Sequence, residues 1–298
     1  MYRVFAIASA VAVCALGASH ATVSATEQGR RVDLEAADCR QNVMFGDYET
    51  AYATQRTTVP VSAGTLEVRP DFNGGVRVER GTGTVFNITA CIGAGAPTRA
   101  EAQAAADAVR LEIEGNRVRV RSNGTALAAT RSWSVQIVVQ APDGSSLSAE
   151  TSNGPIGVKG FSGTLDLRAS NGPISVHDVD GDVKARASNG PISVGGSRGE
   201  FDVETSNGPI SVNLAGSRWI GHLTARASNG PLNVTVPSDY QSGVEISSSS
   251  HSPWNCRASA CGSGNRNWDQ GSRSLHLGTE PVVVRLSTVN GPVTVDNR

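Results

Sequence analysis

Ser170-Asn171-Gly172-Pro173-Ile174-Ser175-Val176 is one of five near-copies of a single phrase, which begin at Ser152, Ser170, Ser188, Ser206 and Ser228. Every copy reads Ser-Asn-Gly-Pro, an aliphatic residue, one further residue and Val, and the steps between copies are 18, 18, 18 and 22 residues. A worn copy, Val289-Asn290-Gly291-Pro292-Val293-Thr294-Val295, stands near the C-terminus. A fixed period near 20 marks repeats that stack on their neighbours. Within a repeat the apolar residues alternate: Ile174 and Val176 around Ser175, then Val183, Ala185 and Ala187 around Lys184 and Arg186. Period two means strands with one buried face. Each repeat therefore carries two arms of about nine residues, and the inner positions align into ladders. One ladder is Ile156, Ile174, Ile192, Ile210 and Leu232; a second is Val158, Val176, Val194, Val212 and Val234; a third is Leu165, Val183, Phe201 and Leu223. The expected fold is all-β, a single-stranded parallel β-solenoid with coils of 18 to 22 residues and one short helix.

The repeated phrase has a backbone explanation. Asn tolerates a positive φ, Gly accepts it freely, and Pro, lacking an N–H, suits the first residue of a strand. Stacked Asn153, Asn171, Asn189, Asn207, Asn229 and Asn290 are placed to form an amide ladder along one corner. A repeated ligand site is the alternative, and turn chemistry outweighs it because it accounts for every member of the phrase.

Residues 1–25 have the layout of a secretory signal peptide: Arg3, an apolar run from Val4 to Ala18, and Val23-Ser24-Ala25 before Thr26. Cys14 follows Val13 rather than a small residue, so a lipid anchor is not expected. The mature chain would have no transmembrane segment. Removing Arg3 turns 26 basic and 27 acidic residues into 25 and 27, a net charge of −2. With no basic excess or cluster, nucleic acid is excluded as a partner. Four cysteines remain, and in an exported protein four thiols suggest two disulfides. Cys256 and Cys261 are near enough in sequence to staple one loop, leaving Cys39 for Cys91; zinc is the rival reading, without a histidine at conventional spacing.

The remaining chain divides into an N-terminal segment or cap over 26–58, irregular first coils over 59–145 and the regular stack over 146–298. Thr98 followed by Glu101 forms a capping box before an Ala-rich run, which predicts a helix over 98–110. The stack is interrupted by a polar insertion over 247–273. Its Trp254, Asn265, Asn267, Trp268 and Asp269 put aromatic faces beside amides and a carboxylate, which suits sugars or peptides. In the competing reading, Trp254 and Trp268 cover the last coils. The partner expected is an envelope or surface glycan or protein, with no cofactor and no metal. The outward charges Asp166, Lys184 and Asp202, and Arg168, Arg186, Glu204 and Arg226, mix signs as a solvated face does. Asp178, Asp180 and Asp182 share one corner and do not recur in neighbouring coils, which argues against both a carboxylate-based enzyme and a calcium site.

The order of features adds a resemblance. Gly64-Thr65-Leu66-Glu67-Val68, Asn73-Gly74-Gly75-Val76-Arg77-Val78, the capped helix, Trp133-Ser134-Val135, the Pro142 turn and the Asn-Gly-Pro-Ile-Ser-Val repeats follow one another over residues 59–298. This order resembles the bacterial putative-adhesin family of β-strand-repeat proteins, a domain of unknown function. The resemblance implies an exported solenoid in the periplasm or on the cell surface and supplies no catalytic residues. The function expected is a non-catalytic adhesion or envelope-binding module. The alternatives are an envelope scaffold without a ligand and, disfavoured, a polysaccharide-active enzyme.

Overall fold

The computed structural model describes residues 39, 45–70, 74–122, 132–216, 219–250, 252–262 and 267–298. The signal-peptide reading and Asn73 lie outside the described residues. The protein is all-β, and the 20 strands among the described residues are joined in one mixed sheet. In chain order, β1 is Glu49–Pro60, β2 Leu66–Arg69, β3 Gly74–Gly81 and β4 Val85–Ala96, followed by α1, Arg99–Ala108. Next come β5 Val109–Glu114, β6 Arg117–Ser122, β7 Ser132–Pro142, β8 Ser145–Asn153 and β9 Ile156–Lys159. The repeats supply β10 Ser162–Asn171, β11 Ile174–Asn189, β12 Ile192–Asn207, β13 Ile210–Leu214, β14 Ile220–Asn229 and β15 Leu232–Val236. The chain finishes with β16 Gly243–Ser248, β17 Trp254–Cys256, β18 Ser274–Leu277, β19 Val282–Asn290 and β20 Val293–Asn297.

Parallel pairing follows the sequence period. Ile174 lies beside Ile156 and Ile192, and Val183 beside Leu165 and Phe201. The inner ladders are buried throughout: Ile156, Ile174, Ile192, Ile210 and Leu232 are at most 1% exposed. Such side chains stabilise the fold by up to about 1.5–3 kcal/mol each. The first arms stack in the order β6, β2, β8, β10, β11, β12, β14, β19, β16. The second arms stack as β7, β3, β9, β11, β12, β13, β15, β20, β17.

Two features differ from the expected uniform parallel stack of consecutive coils. First, four pairs are antiparallel: β1–β4, β4–β7, β5–β6 and β16–β18. A parallel partner requires a crossover, whereas an antiparallel one needs only a short turn, and Gly115-Asn116 suffices between β5 and β6. Second, stacking order is not chain order. The β2–β3 coil sits between β6–β7 and β8–β9, and the β19–β20 coil sits between β14–β15 and β16–β17. The boundary read at residue 58 falls inside β1, which is fully paired with β4. The helix ends at Ala108, two residues before the predicted end, because Val109 is buried and begins the β5 ladder opposite Ser122. The capping box is formed: the Glu101 N–H donates to Thr98 Oγ1 and the Thr98 N–H to Glu101 Oε2. Ala102 of α1 packs with Ala51 and Ala96, laying the helix on β1 and β4. Both disulfides, Cys39–Cys91 and Cys256–Cys261, are present, with Cα separations of 5.2 and 6.0 Å.

The Asn-Gly-Pro corners stack in register. Asn171 donates to the Asn153 side chain at 3.1 Å, and the amide chain continues through Asn189, Asn207, Asn229 and Asn290 at 3.0–3.1 Å. Gly190 has φ +154°, and a Cβ there would lie 2.3 Å from the Gly172 carbonyl oxygen. Gly190→Ala is therefore expected to cost about 3 kcal/mol or more. Asn189→Ala, which removes two exposed amide bonds, should cost only about 1–2 kcal/mol. Urea unfolding of both variants checks the order. Replacing Cys39 and Cys91 by Ser, which opens the longer loop, should destabilise by about 4 kcal/mol, against about 2 kcal/mol for Cys256 and Cys261, measured the same way.

Candidate functional site

The insertion over 247–273 is woven into the stack rather than hung from it. Trp254 opens β17 beside Val293, and Cys256 lies beside Val295 at the end of the Val ladder. Cys256, Ala258, Ala260 and Cys261 are buried in the core, and Trp254 and Trp268 are half-buried against it. The two tryptophans thus cover the last coil, and truncating them would test the fold before any ligand. Asn265 lies outside the described residues, and Asn267 is exposed. Asp269 is exposed too, but its carboxylate is spent on a turn. It accepts from Ser272 Oγ at 2.7 Å and from the Gly271 N–H at 2.8 Å. The Ser272 hydroxyl and then the Gly271 amide hold this carboxyl below its usual range. Neither surface described next includes Trp254, Asn267, Trp268 or Asp269.

The outward face of the first arms carries the charged columns. Arg168 pairs with Asp166 at 2.9 Å, Arg186 with Asp202 at 2.7 Å and Glu204 at 3.5 Å, and Arg226 with Asp202 at 3.0 Å. Arg69–Glu150 and Arg117–Glu67 extend the pattern onto β2 and β6, each at 3.1 Å. A depression of about 290 Å³ is lined by Glu150, Arg168, Arg186 and Glu204 with Ser170 and Ser188. Burial pushes the Asp202 carboxyl up, but the hydrogen bonds and charges of Arg186 and Arg226 outweigh it and hold it below the usual range. The Arg186 guanidinium is raised in turn, first by its hydrogen bond to Asp202. The face neutralises itself and offers no single-signed field.

The outward face of the second arms has a different chemistry. Pro155, Pro173, Pro191, Pro209, Pro231 and Pro292 form an exposed column beside the asparagine ladder. Next to it runs a ladder of small hydrogen-bonding groups. Ser175 pairs with Ser193, then come Ser211, Asn233, Thr294 and Asn255, each half-buried or exposed. Beyond it lie Gly195, Asn213 and Thr235. From β12 to β15 these columns carry no charge. The sequence signal for this face is the residue between Ile and Val in each phrase, which alternation already turns outward; the sequence reading passed over it in favour of the tryptophans. Asp180 is paired with Arg198, Asp182 accepts the Glu200 N–H at 3.0 Å, and the described residues include no cluster of three or more metal-ligating side chains. No helix among them is long and apolar enough to cross a membrane.

No protein-family model matches this chain, and no curated protein matches it. Several solved structures resemble it distantly. A "putative adhesin" from Parabacteroides distasonis is 11% identical over 84% of this chain and 98% of its own, with a TM-score of 0.37. A "putative cell adhesion protein" from Clostridium sporogenes is 10% identical over 83% and 100%, with a TM-score of 0.29. A "putative lipid binding protein", also from Parabacteroides distasonis, is 12% identical over 82% and 96%, with a TM-score of 0.28. Likeness at these values carries no argument about this chain's family or ligand.

Asp202 is ionised more readily folded than unfolded. Its contribution to stability is therefore present above the unfolded carboxyl value of about 3.9 and is lost as pH falls through the lower folded value. Because the pair is partly exposed, Asp202→Asn should remove about 1 kcal/mol or less at neutral pH. The variant's deficit against the parent should shrink below about pH 4, followed by urea unfolding across an acid series.

Proposed function

We propose that the protein is an exported, non-catalytic binding module of the bacterial envelope or cell surface, built as a parallel β-solenoid whose ends are closed by antiparallel strands. The single observation that carries this reading is the uncharged stretch of the second-arm face from β12 to β15, where one small polar group per coil repeats beside a proline column and a hydrogen-bonded asparagine ladder. A periodic, neutral surface suits a periodic, neutral polymer, and an envelope polysaccharide is the partner we assign to it. Proline rings offer apolar area to sugar ring faces, and the serine, threonine and asparagine side chains both donate and accept hydrogen bonds. Two disulfides support an oxidising compartment, as does the signal-peptide layout of residues 1–25. The non-catalytic reading is supported by the corner acids, of which Asp180 and Asp182 are engaged structurally.

The test is binding of the oxidised protein to peptidoglycan and to an array of bacterial and host glycans. Binding to at least one neutral polymer is expected. Ser193→Arg, which sets a long cation in the middle of the neutral face, should abolish it while circular dichroism stays unchanged. Arg168→Gln on the charged face should leave it intact. Equal binding by the parent and Ser193→Arg would remove this face from consideration. A blank array with folded protein would favour the scaffold reading, to be pursued by crosslinking in the envelope.

A further inference from the structure

The regular second corner of each coil is short, running through Gly163, Gly181 and Gly199. Two successive coils depart from it. The link between β13 and β14 is longer by the four extra residues of the repeat and carries Trp219, and the link from β15 to β16 carries Asp239, Tyr240, Gln241 and Ser242. The two meet around a depression of about 250 Å³ lined by those five residues. Trp219 is 7% exposed, and its ring packs edge-on against Phe201 with centroids 4.9 Å apart. So little exposure leaves the indole no face for stacking. Its Nε1 is buried and has no hydrogen-bond partner. Buried donors are nearly always satisfied, so an orphan at the wall of a depression calls for an external acceptor. Tyr240 does not supply it: its hydroxyl donates to the Gly243 carbonyl at 3.1 Å and makes no hydrogen bond with Trp219 Nε1.

We propose that this depression is a binding site for one neutral sugar residue, whose hydroxyl or acetamido oxygen accepts from Trp219 Nε1 while Asp239, Gln241 and Ser242 take the remaining hydroxyls. Among the described residues the lining contains a carboxylate and no cation. The volume is below the roughly 300–1,000 Å³ of sites for drug-sized ligands, which limits the occupant to about one ring. The proposal rests on the recognition reading only for the ligand's class; the site lies on a different corner from the neutral face and can fail or succeed separately.

The experiment follows the tryptophan indole N–H signals of the oxidised, full protein by 1H–15N NMR. D-glucose, D-galactose, D-mannose and N-acetyl-D-glucosamine are added singly, each to about 100 mM, a range that captures dissociation constants on the order of 1–10 mM. Loss of one signal in Trp219→Phe identifies Trp219; if that variant does not fold, Trp133→Phe, Trp254→Phe and Trp268→Phe identify it by elimination. Saturable displacement of the Trp219 signal is expected with at least one sugar. Gln241→Ala should weaken it by about threefold to tenfold, the effect of one hydrogen bond. Ser193→Arg should leave it unchanged, which separates this site from the polymer face. A Trp219 signal unmoved by all four sugars, or one that drifts linearly and equally with each, would overturn the proposal.

Discussion

The whole stack depends on how closely one corner can approach the next. At Gly172, Gly190, Gly208, Gly230 and Gly291 a Cβ would lie 2.1–2.3 Å from the carbonyl oxygen of the glycine one coil before. The second corner repeats the arrangement: at Gly181, Gly199 and Gly221 the corresponding distances are 2.0–2.1 Å. All eight also have φ between +121° and +157°. Close approach and conformation exclude side chains independently, so two glycines per coil are obligatory. Between them the backbone carries the register onward: the Gly172 and Gly190 amides donate to the Asn189 and Asn207 carbonyls at 3.1 and 2.9 Å. The asparagine amides then decorate a corner whose geometry glycine has already set.

Stacking out of chain order explains how such a structure ends. A stack built strictly in sequence would finish on its last coil, with an open ladder on one side. Here the last coil of the chain has a neighbour on each side, because the β16–β17 coil, made earlier in sequence, lies beyond it. The Cys256–Cys261 staple and the half-buried Trp254 and Trp268 hold that outer coil in place. The cost is kinetic. Asn207 and Asn229 pair across 22 residues, whereas Asn229 and Asn290 pair across 61, and longer closures come later and more slowly.

The inner ladders were legible from alternation alone, as were the corners, the helix cap and the cysteine pairs. Alternation reports which way a side chain faces, and turn residues report where the chain bends. Neither reports which strand lies alongside, so the interleaved end coils and the antiparallel β1–β4–β7 edge were not visible. The packing of Trp254 and Trp268 was not visible for a related reason. A tryptophan in a polar segment reads as a surface contact unless the strand beneath it is known, and β17 is only three residues long. The neutral face was written in the repeats, but a serine between two aliphatics looks like filler until its neighbours above and below are also small and uncharged.

The two outward faces differ in what contact would cost. On the charged face, a partner would have to displace or desolvate pairs such as Arg186–Asp202, which already satisfy one another. On the neutral face nothing needs to be broken. Ser175, Ser193 and Ser211 rotate their hydroxyls to suit either a donor or an acceptor, and the prolines beside them are exposed. Recognition there would be weak per coil and would grow with the number of coils engaged, since each adds the same small increment along one axis.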